Sequence, residues 1–296
     1  MSRPAIPSRD ALCLALALVA PAFLALTTTL LFAQSDDDLP TVAPSKRRVF
    51  LVETDEYIDD ALSPLPDAKN DLAAIRERLE ELGVPPERIE EYSSRQRAAL
   101  QPSKRAIEEG FQRYLDDLTK DDFAFVYLVG SGAEDADARV SYYMPMDADP
   151  ENFDYCVPIN GENGLTTKLG KSEARFGLVV VDAGRLSRRS EGRVARGNIP
   201  GFPRSVALLQ CCEPNQNSLA LRGENGIFTA KLLEALVLDN NPADADRDGI
   251  LSLNEFFQYA IRETSVEARR VYGKSQTPVA SGAAPSFGLL KPEKTR

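Results

Sequence analysis

Apolar positions along this 296-residue chain fall into short unbroken runs that alternate with stretches of helical spacing. Val49, Phe50, Leu51 and Val52 form a continuous apolar run, the pattern of a strand buried on both faces. From about Asp67, Leu72, Ile75, Leu79 and Leu82 recur at intervals of three and four, which predicts a helix, and Gly83 marks its stop. Ile89 to Tyr92 is a weaker strand. Ser103 opens a second helix that carries Ile107, Phe111, Tyr114, Leu115 and Leu118 on one stripe. Phe123 to Val129 is the most apolar run after the N-terminal region and predicts a central strand. A hairpin-like stretch follows from Val140 to Met146, then strands at Phe176 to Val181 and Val206 to Leu209, then a helix from Ile227 to Leu238. This alternation predicts an α/β fold, with a mostly parallel central sheet covered by helices on both faces. In such sheets the functional groups gather beyond the carboxyl ends of the strands. The places to examine are therefore just after Val129 and just after Val181.

The N-terminus has a different pattern. Ala11 to Ala33 runs without a charge, and at about 1.5 Å rise per residue such a helix is long enough for a hydrocarbon core of about 30 Å. Arg3 and Arg9 precede it and Asp36, Asp37 and Asp38 follow, which predicts residues 1–10 on the cytoplasmic side and the rest of the chain outside the cytoplasm. A cleaved signal sequence ending at Ala33 is the alternative, and the protein would then be secreted or periplasmic. The apolar run is longer than the usual signal core of about 7–15 residues, and the large Leu31 sits two residues before Ala33, so an uncleaved anchor is favoured. Residues 34–47, polar and with two prolines, read as a linker. The main domain is then 48–282, with 283–296 as a C-terminal tail.

Composition narrows the chemistry. Forty-five acidic against 35 basic side chains leave a net charge of −10, which repels phosphate backbones and excludes nucleic acid as a partner. The chain contains no histidine, so the commonest general base and metal ligand is absent. The turn Gly130-Ser131-Gly132 is not a dinucleotide loop, because Asp135 replaces the third glycine and Glu134 and Asp137 would repel phosphate. Asp116/Asp117 and Asp121/Asp122 read as solvated helix ends and turns. Of the four cysteines only Cys156, Cys211 and Cys212 lie beyond the apolar segment, so at most one ordinary disulfide forms. Adjacent residues seldom bridge, which leaves Cys156 with Cys211 or Cys212 as the candidate pair and three free thiols as the alternative.

The two strand ends read Tyr127-Leu128-Val129-Gly130-Ser131-Gly132 and Val181-Asp182-Ala183-Gly184-Arg185. With Leu65 to Asp71, Tyr143 to Asp149, Gly226 to Thr229 and Gln276-Thr277-Pro278, they resemble, in order and spacing, the caspase-like peptidases, the group that includes metacaspases. The resemblance covers roughly Arg48 to Gly282 and implies a caspase-like three-layer sandwich. It also implies that Ser131 stands where that family has its histidine and Gly184 where it has its nucleophilic cysteine. Neither can perform the missing role: a serine hydroxyl is no base near neutral pH and glycine has no nucleophile. The backbone amides of Gly132 and Gly184 would remain as an oxyanion hole, and Asp182 matches an aspartate that in metacaspases lines an acidic pocket for a basic side chain. The implied protein is an inactive pseudopeptidase that binds a protein or peptide. The alternatives are a hydrolase that recruits Cys211, Cys212 or Ser131, with Asp182 or Glu134 as base, and a structural envelope protein. For Asp182 the simpler role, a strand-end carboxylate capping local donors, is favoured.

One motif is complete. Asp244, Asp246 and Asp248 occupy positions 1, 3 and 5 of an EF-hand loop, Gly249 position 6, the Ile250 carbonyl position 7, Ser252 position 9 and Glu255 position 12. Leu251 at position 8 supplies the inward apolar contact. The helix before it and the stripe Phe256, Phe257, Ala260 and Ile261 after it predict an EF-hand-like helix-loop-helix over 227–262. The implied ligand is Ca²⁺. A single visible hand in an exported protein predicts weak affinity, about 10⁻⁴–10⁻³ M.

Overall fold

The computed structural model describes residues 41–188, 202–220, 223–282 and 287–291. The chain divides into two units, Met1–Ser35 and Asp36–Arg296, and every described residue belongs to the second. The predicted anchor at 11–33 lies outside the described residues, and so do residues 34–40 of the linker and 283–286 and 292–296 of the tail. Among the described residues no helix is long and apolar enough to cross a membrane.

In chain order the elements are β1 (Arg47–Glu53), α1 (Ala68–Glu81), β2 (Ile89–Tyr92), α2 (Lys104–Asp116), β3 (Phe123–Asp135) and β4 (Val140–Met144). There follow β5 (Val157–Pro158), α3 (Leu165–Leu169), β6 (Phe176–Ala183), β7 (Leu186–Arg188), β8 (Val206–Gln210) and α4 (Ile227–Ala235). The chain ends with β9 (Leu251–Ser252), α5 (Leu253–Tyr272), β10 (Val279–Gly282) and β11 (Gly288–Leu290). The main sheet runs β10-β8-β6-β3-β1-β2, parallel throughout except for β10, which lies antiparallel on β8. Strand order reverses between β1 and β3, because β1 leads to β2 on one side and the chain then returns to the other. That reversal opens a crevice beyond the carboxyl ends of the two strands.

Alternate residues of each strand feed two cores, so the architecture is a three-layer sandwich. Val49, Leu51, Phe125, Tyr127, Leu178 and Val180 face one side with Leu72 and Ile75 of α1 and residues of α4 and α5. Phe50, Val52, Val126, Leu128, Val179 and Val181 face the other with Ile107 and Phe111 of α2 and Leu165 of α3. This two-sided burial explains why the strands read as unbroken apolar runs. Helix α1 ends where its sequence says: Gly83 takes φ +81°, Val84 N–H donates to Leu79 and Gly83 N–H to Glu80. Those are the two bonds of a glycine-terminated helix end.

Several expectations need correction. Strand β3 does not stop at Val129 but continues to Asp135, because its second half pairs with β4 and β7 rather than with the main sheet. Helix α4 ends at Ala235, short of Leu238. Asp122 is not on a solvated turn; it is buried, accepting from the Thr119 N–H at 2.8 Å and hydroxyl at 2.7 Å and pairing with Arg88. No disulfide joins Cys156 to Cys211 or Cys212. None of the three is in a disulfide and all are buried, Cys156 in a small cluster with Ala133 and Met144, the other two in the main core. The short elements α3, β5, β7, β9, β10 and β11 carry too few residues for a periodic signal.

Phe111 is buried against Phe50 at 5.4 Å, edge-on, and Tyr114 at 5.9 Å. Phe111→Ala is expected to destabilise the domain by about 3–5 kcal/mol, read as a lower midpoint in urea unfolding.

Candidate functional site

The parallel register brings the two sequence-predicted positions together. Gly130 pairs with Ala183 and Ala133 with Leu186, and the same offset sets Ser131 beside Gly184. The approach is tight: a Cβ on Gly132 would stand 2.6 Å from the Gly184 carbonyl, so no side chain fits there. A Cβ on Gly184 would lie 3.3 Å from Asn217 Oδ1 and 3.5 Å from Asn217 Cα, which places the Gln216–Asn217 turn directly over this position. Ser131 is fixed from the opposite side, its N–H donating to the Tyr57 hydroxyl at 2.7 Å. Tyr57 in turn donates to the Thr54 carbonyl, and burial pushes its phenol up to about 12. The Tyr57 hydroxyl beside Ser131 therefore stays protonated at neutral pH, accepting from Ser131 and donating to Thr54.

Asp182, at the end of β6, is buried and held by the hydroxyls of Ser218 and, at 2.7 Å, Thr229. Facing it is Asp71 of α1, which accepts from the Gly226 N–H at 2.8 Å. The two carboxylates converge on Gly226, since a Cβ there would lie 3.1 Å from Asp71 Oδ2 and 3.2 Å from Asp182 Oδ2. They border a cavity of about 120 Å³ whose walls include Leu65, Asp67, Val129, Gly130, Ser218 and Ala220. Burial, and then the charge of Asp182, push the Asp71 carboxyl up to about 8. Burial likewise raises Asp182, against the pull of its hydroxyl donors. The pair therefore carries a proton at neutral pH. Sequence reading named Asp182 but saw Asp71 only as part of a matching segment. Its role depends on α1 packing over β1 and β3 and against α4, which no local pattern encodes.

The acidic loop ahead of α5 forms a second site. Carboxylate oxygens of Asp244, Asp246 and Glu255 lie within 4.8 Å of one another. Backbone amides set their orientation: Asp244 accepts from Arg247 at 2.7 Å and Gly249 at 3.0 Å, Asp246 from Asp248 at 3.1 Å and Glu255 from Ala245 at 2.7 Å. Gly249 takes φ +84°, the left-handed turn that only glycine adopts freely. Asp248 stands outside the trio, its Oδ1 accepting from the Ile250 N–H. Ser252 caps α5 in a reciprocal bond with Glu255, which uses the hydroxyl for the helix start. The incoming helix does not lead straight into the loop: residues 236–243 intervene, and Asn241 Nδ2 caps the carbonyls of Ala235 and Val237 at 2.8 Å each. Where paired hands share a two-stranded ribbon, β9 pairs instead with β11 of the chain's own C-terminal segment.

The sandwich, its strand order and the paired strand ends agree with one family. The model of the Peptidase C14 caspase domain matches residues 46–285. The chain belongs to the caspase domain family. No curated protein matches the sequence. Among solved structures, caspase-1 from Spodoptera frugiperda superposes with a TM-score of 0.56 at 11% identity, over 88% of this chain and 96% of that one, a likeness of fold.

Within this caspase domain the other titratable groups near Gly184 are already engaged. Glu134 is in a buried ion pair with Arg185. Cys211 and Cys212 are fully buried, with sulfurs 3.7 Å apart; Cys211 donates to the Ala183 carbonyl and Cys212 to the Gln216 carbonyl, each at 3.2 Å. Burial, with the neighbouring thiol, pushes the Cys211 thiol far up, which keeps it protonated and unreactive.

Because Asp71 binds its proton more tightly folded than unfolded, the stability it confers is present at low pH and lost as pH rises from about 4 through about 8. Asp71→Asn is expected to raise the melting temperature more at pH 8 than at pH 5, measured by calorimetry across that range.

Proposed function

We propose that this caspase domain is a pseudopeptidase, a binding module that retains the acidic pocket of Asp71 and Asp182 for a basic peptide side chain and lacks the means to cut. The observation that carries this reading is that Ser131 and Gly184 each follow the Gly130–Ala183 pair at the two strand ends, in a chain with no histidine anywhere. A Cys-His pair needs a thiolate and a base, and neither position supplies one. The resemblance to the family assigns those two positions their lost roles. Asn217 over Gly184 and the protonated, buried Cys211 argue in the same direction. The amides of Gly132 and Gly184 alone would leave at most a remnant, about 10³–10⁴-fold over water by analogy with serine proteases stripped of their triad.

A guanidinium entering between Asp71 and Asp182 would displace the shared proton, so binding would strengthen with pH up to about 8. Arginine-containing peptides are expected to bind, measured by fluorescence anisotropy, with mass spectrometry showing no cleavage. Asp182→Asn is expected to weaken binding about 10- to 100-fold, the value of one charge-assisted hydrogen bond or more. Cleavage abolished by Cys211→Ala or Cys212→Ala would overturn the reading in favour of a hydrolase.

Ca²⁺ is the proposed ligand of the loop, held by Asp244, Asp246, Asp248, the Ile250 carbonyl, Ser252 and Glu255. The donor set is all oxygen and three carboxylates already converge, which suits a hard cation. The ion would neutralise the loop and fasten β9 against β11. At tenfold excess over Kd it should stabilise the fold by about 1.4 kcal/mol. A rise of a few degrees in melting temperature with calcium, absent in Asp244→Ala, is the expected result. Export and tethering through residues 11–33 complete the proposal: a domain held at an outer membrane face by its N-terminal segment.

A further inference from the structure

A second carboxyl pair lies at the end of β1, apart from both sites above. Glu53 is fully buried and Asp55 nearly so. Glu53 Oε2 accepts from the Ser94 N–H at 3.3 Å, but its Oε1 has no partner, and neither has Asp55 Oδ1. Asp55, two residues further along the chain, is the acid that acts on the Glu53 carboxyl. Two carboxylates cannot bond each other, because each offers only acceptors. Leaving both oxygens bare would cost about 1–3 kcal/mol apiece, more with charge. One proton between them satisfies both atoms at once.

We propose that Glu53 carries a proton and donates it to Asp55, so that the pair acts as a proton-held latch on the walls of the Asp71–Asp182 cavity. The walls connect to it directly. Thr54, between the two acids, donates its N–H to Val129 at 3.0 Å, and the Asp55 carbonyl accepts from the Leu65 N–H at 2.8 Å; Val129 and Leu65 both line the cavity. The Thr54 hydroxyl accepts from Tyr143 at 2.9 Å, and its carbonyl accepts from Tyr57, which holds Ser131. Loss of the proton sets two buried negative charges side by side and drives Glu53 and Asp55 apart, moving Thr54 with them. The groups facing Glu53 are Asp55, which opposes its ionisation, and Arg95, which favours it; the phenols of Tyr57 and Tyr143 stay protonated and uncharged beside it. Burial is the largest influence and pushes the Glu53 carboxyl up to about 7. The latch therefore holds below neutrality and opens as pH rises through it. It rests on the cavity walls and on nothing the cavity binds.

Two measurements test it on the intact domain. With Asp71→Asn as background, to remove that group's own titration, the melting temperature should still fall by several degrees between about pH 6 and about pH 8.5, and adding Glu53→Gln, whose amide can donate to Asp55, should abolish the fall. No fall in the background, or an unchanged fall in the double variant, would overturn the latch. Should Glu53→Gln not fold, carbon-13 NMR of glutamate carboxyls in the unmodified protein decides. One glutamate titrating near neutral pH supports the proposal, and all glutamates titrating in the ordinary acidic range refutes it.

Discussion

The close approach of β3 to β6 is the constraint on which the site depends. Both strands are buried on both faces, so neither can slide without exposing a layer of core to water. Their register consequently sets Ser131 beside Gly184, and the gap left for Gly132 is too narrow for any side chain. What remains at the strand ends is backbone and small residues, covered by the Gln216–Asn217 turn. The pseudopeptidase proposal rests on that arrangement of backbone and small residues.

Charge burial is the second theme of the carboxyl edge. Asp71, Asp182, Glu53 and Asp55 are all buried around the reversal between β1 and β3, and no basic side chain forms an ion pair with any of them among the described residues. Hydroxyls and backbone amides satisfy part of them: Ser218 and Thr229 on Asp182, Gly226 on Asp71, Ser94 on Glu53. Protonation covers the rest. A fold optimised only for stability would not keep four acids there, and Glu53, Asp71 and Asp182, all raised by burial, form the kind of concentration that marks functional surfaces.

The loop before α5 acts at the opposite structural level, by organising chain ends. Leu251 pairs with Leu290, Thr41 bridges to Gly288, and the Arg47 guanidinium reaches the carbonyls of Val42 and Leu289. Phe287 sits edge-on between Phe123 and Phe176 in the core. Order in the acidic loop is thus passed to the first and last described segments of the domain.

Local pattern alone was enough for the larger elements. Runs such as Val49–Val52 and helical stripes such as Ile107, Phe111 and Tyr114 declare their faces because burial repeats every two or about 3.6 residues. The absence of histidine, the glycine at position 184 and the spacing of acids from Asp244 to Glu255 are likewise properties of composition and order, readable before folding. Tertiary structure decided everything that depends on distant residues meeting. Asp122 looked solvated and is buried; Cys156 looked available to Cys211 and lies in another cluster; Asp71 showed only as the end of a matching segment, and Glu53 gave no signal at all. The reason is that a carboxyl's environment is set by what packs over it, here α1 over β1 and β3 and the Ser94 turn beside β1. The chain's linear order holds no record of those neighbours.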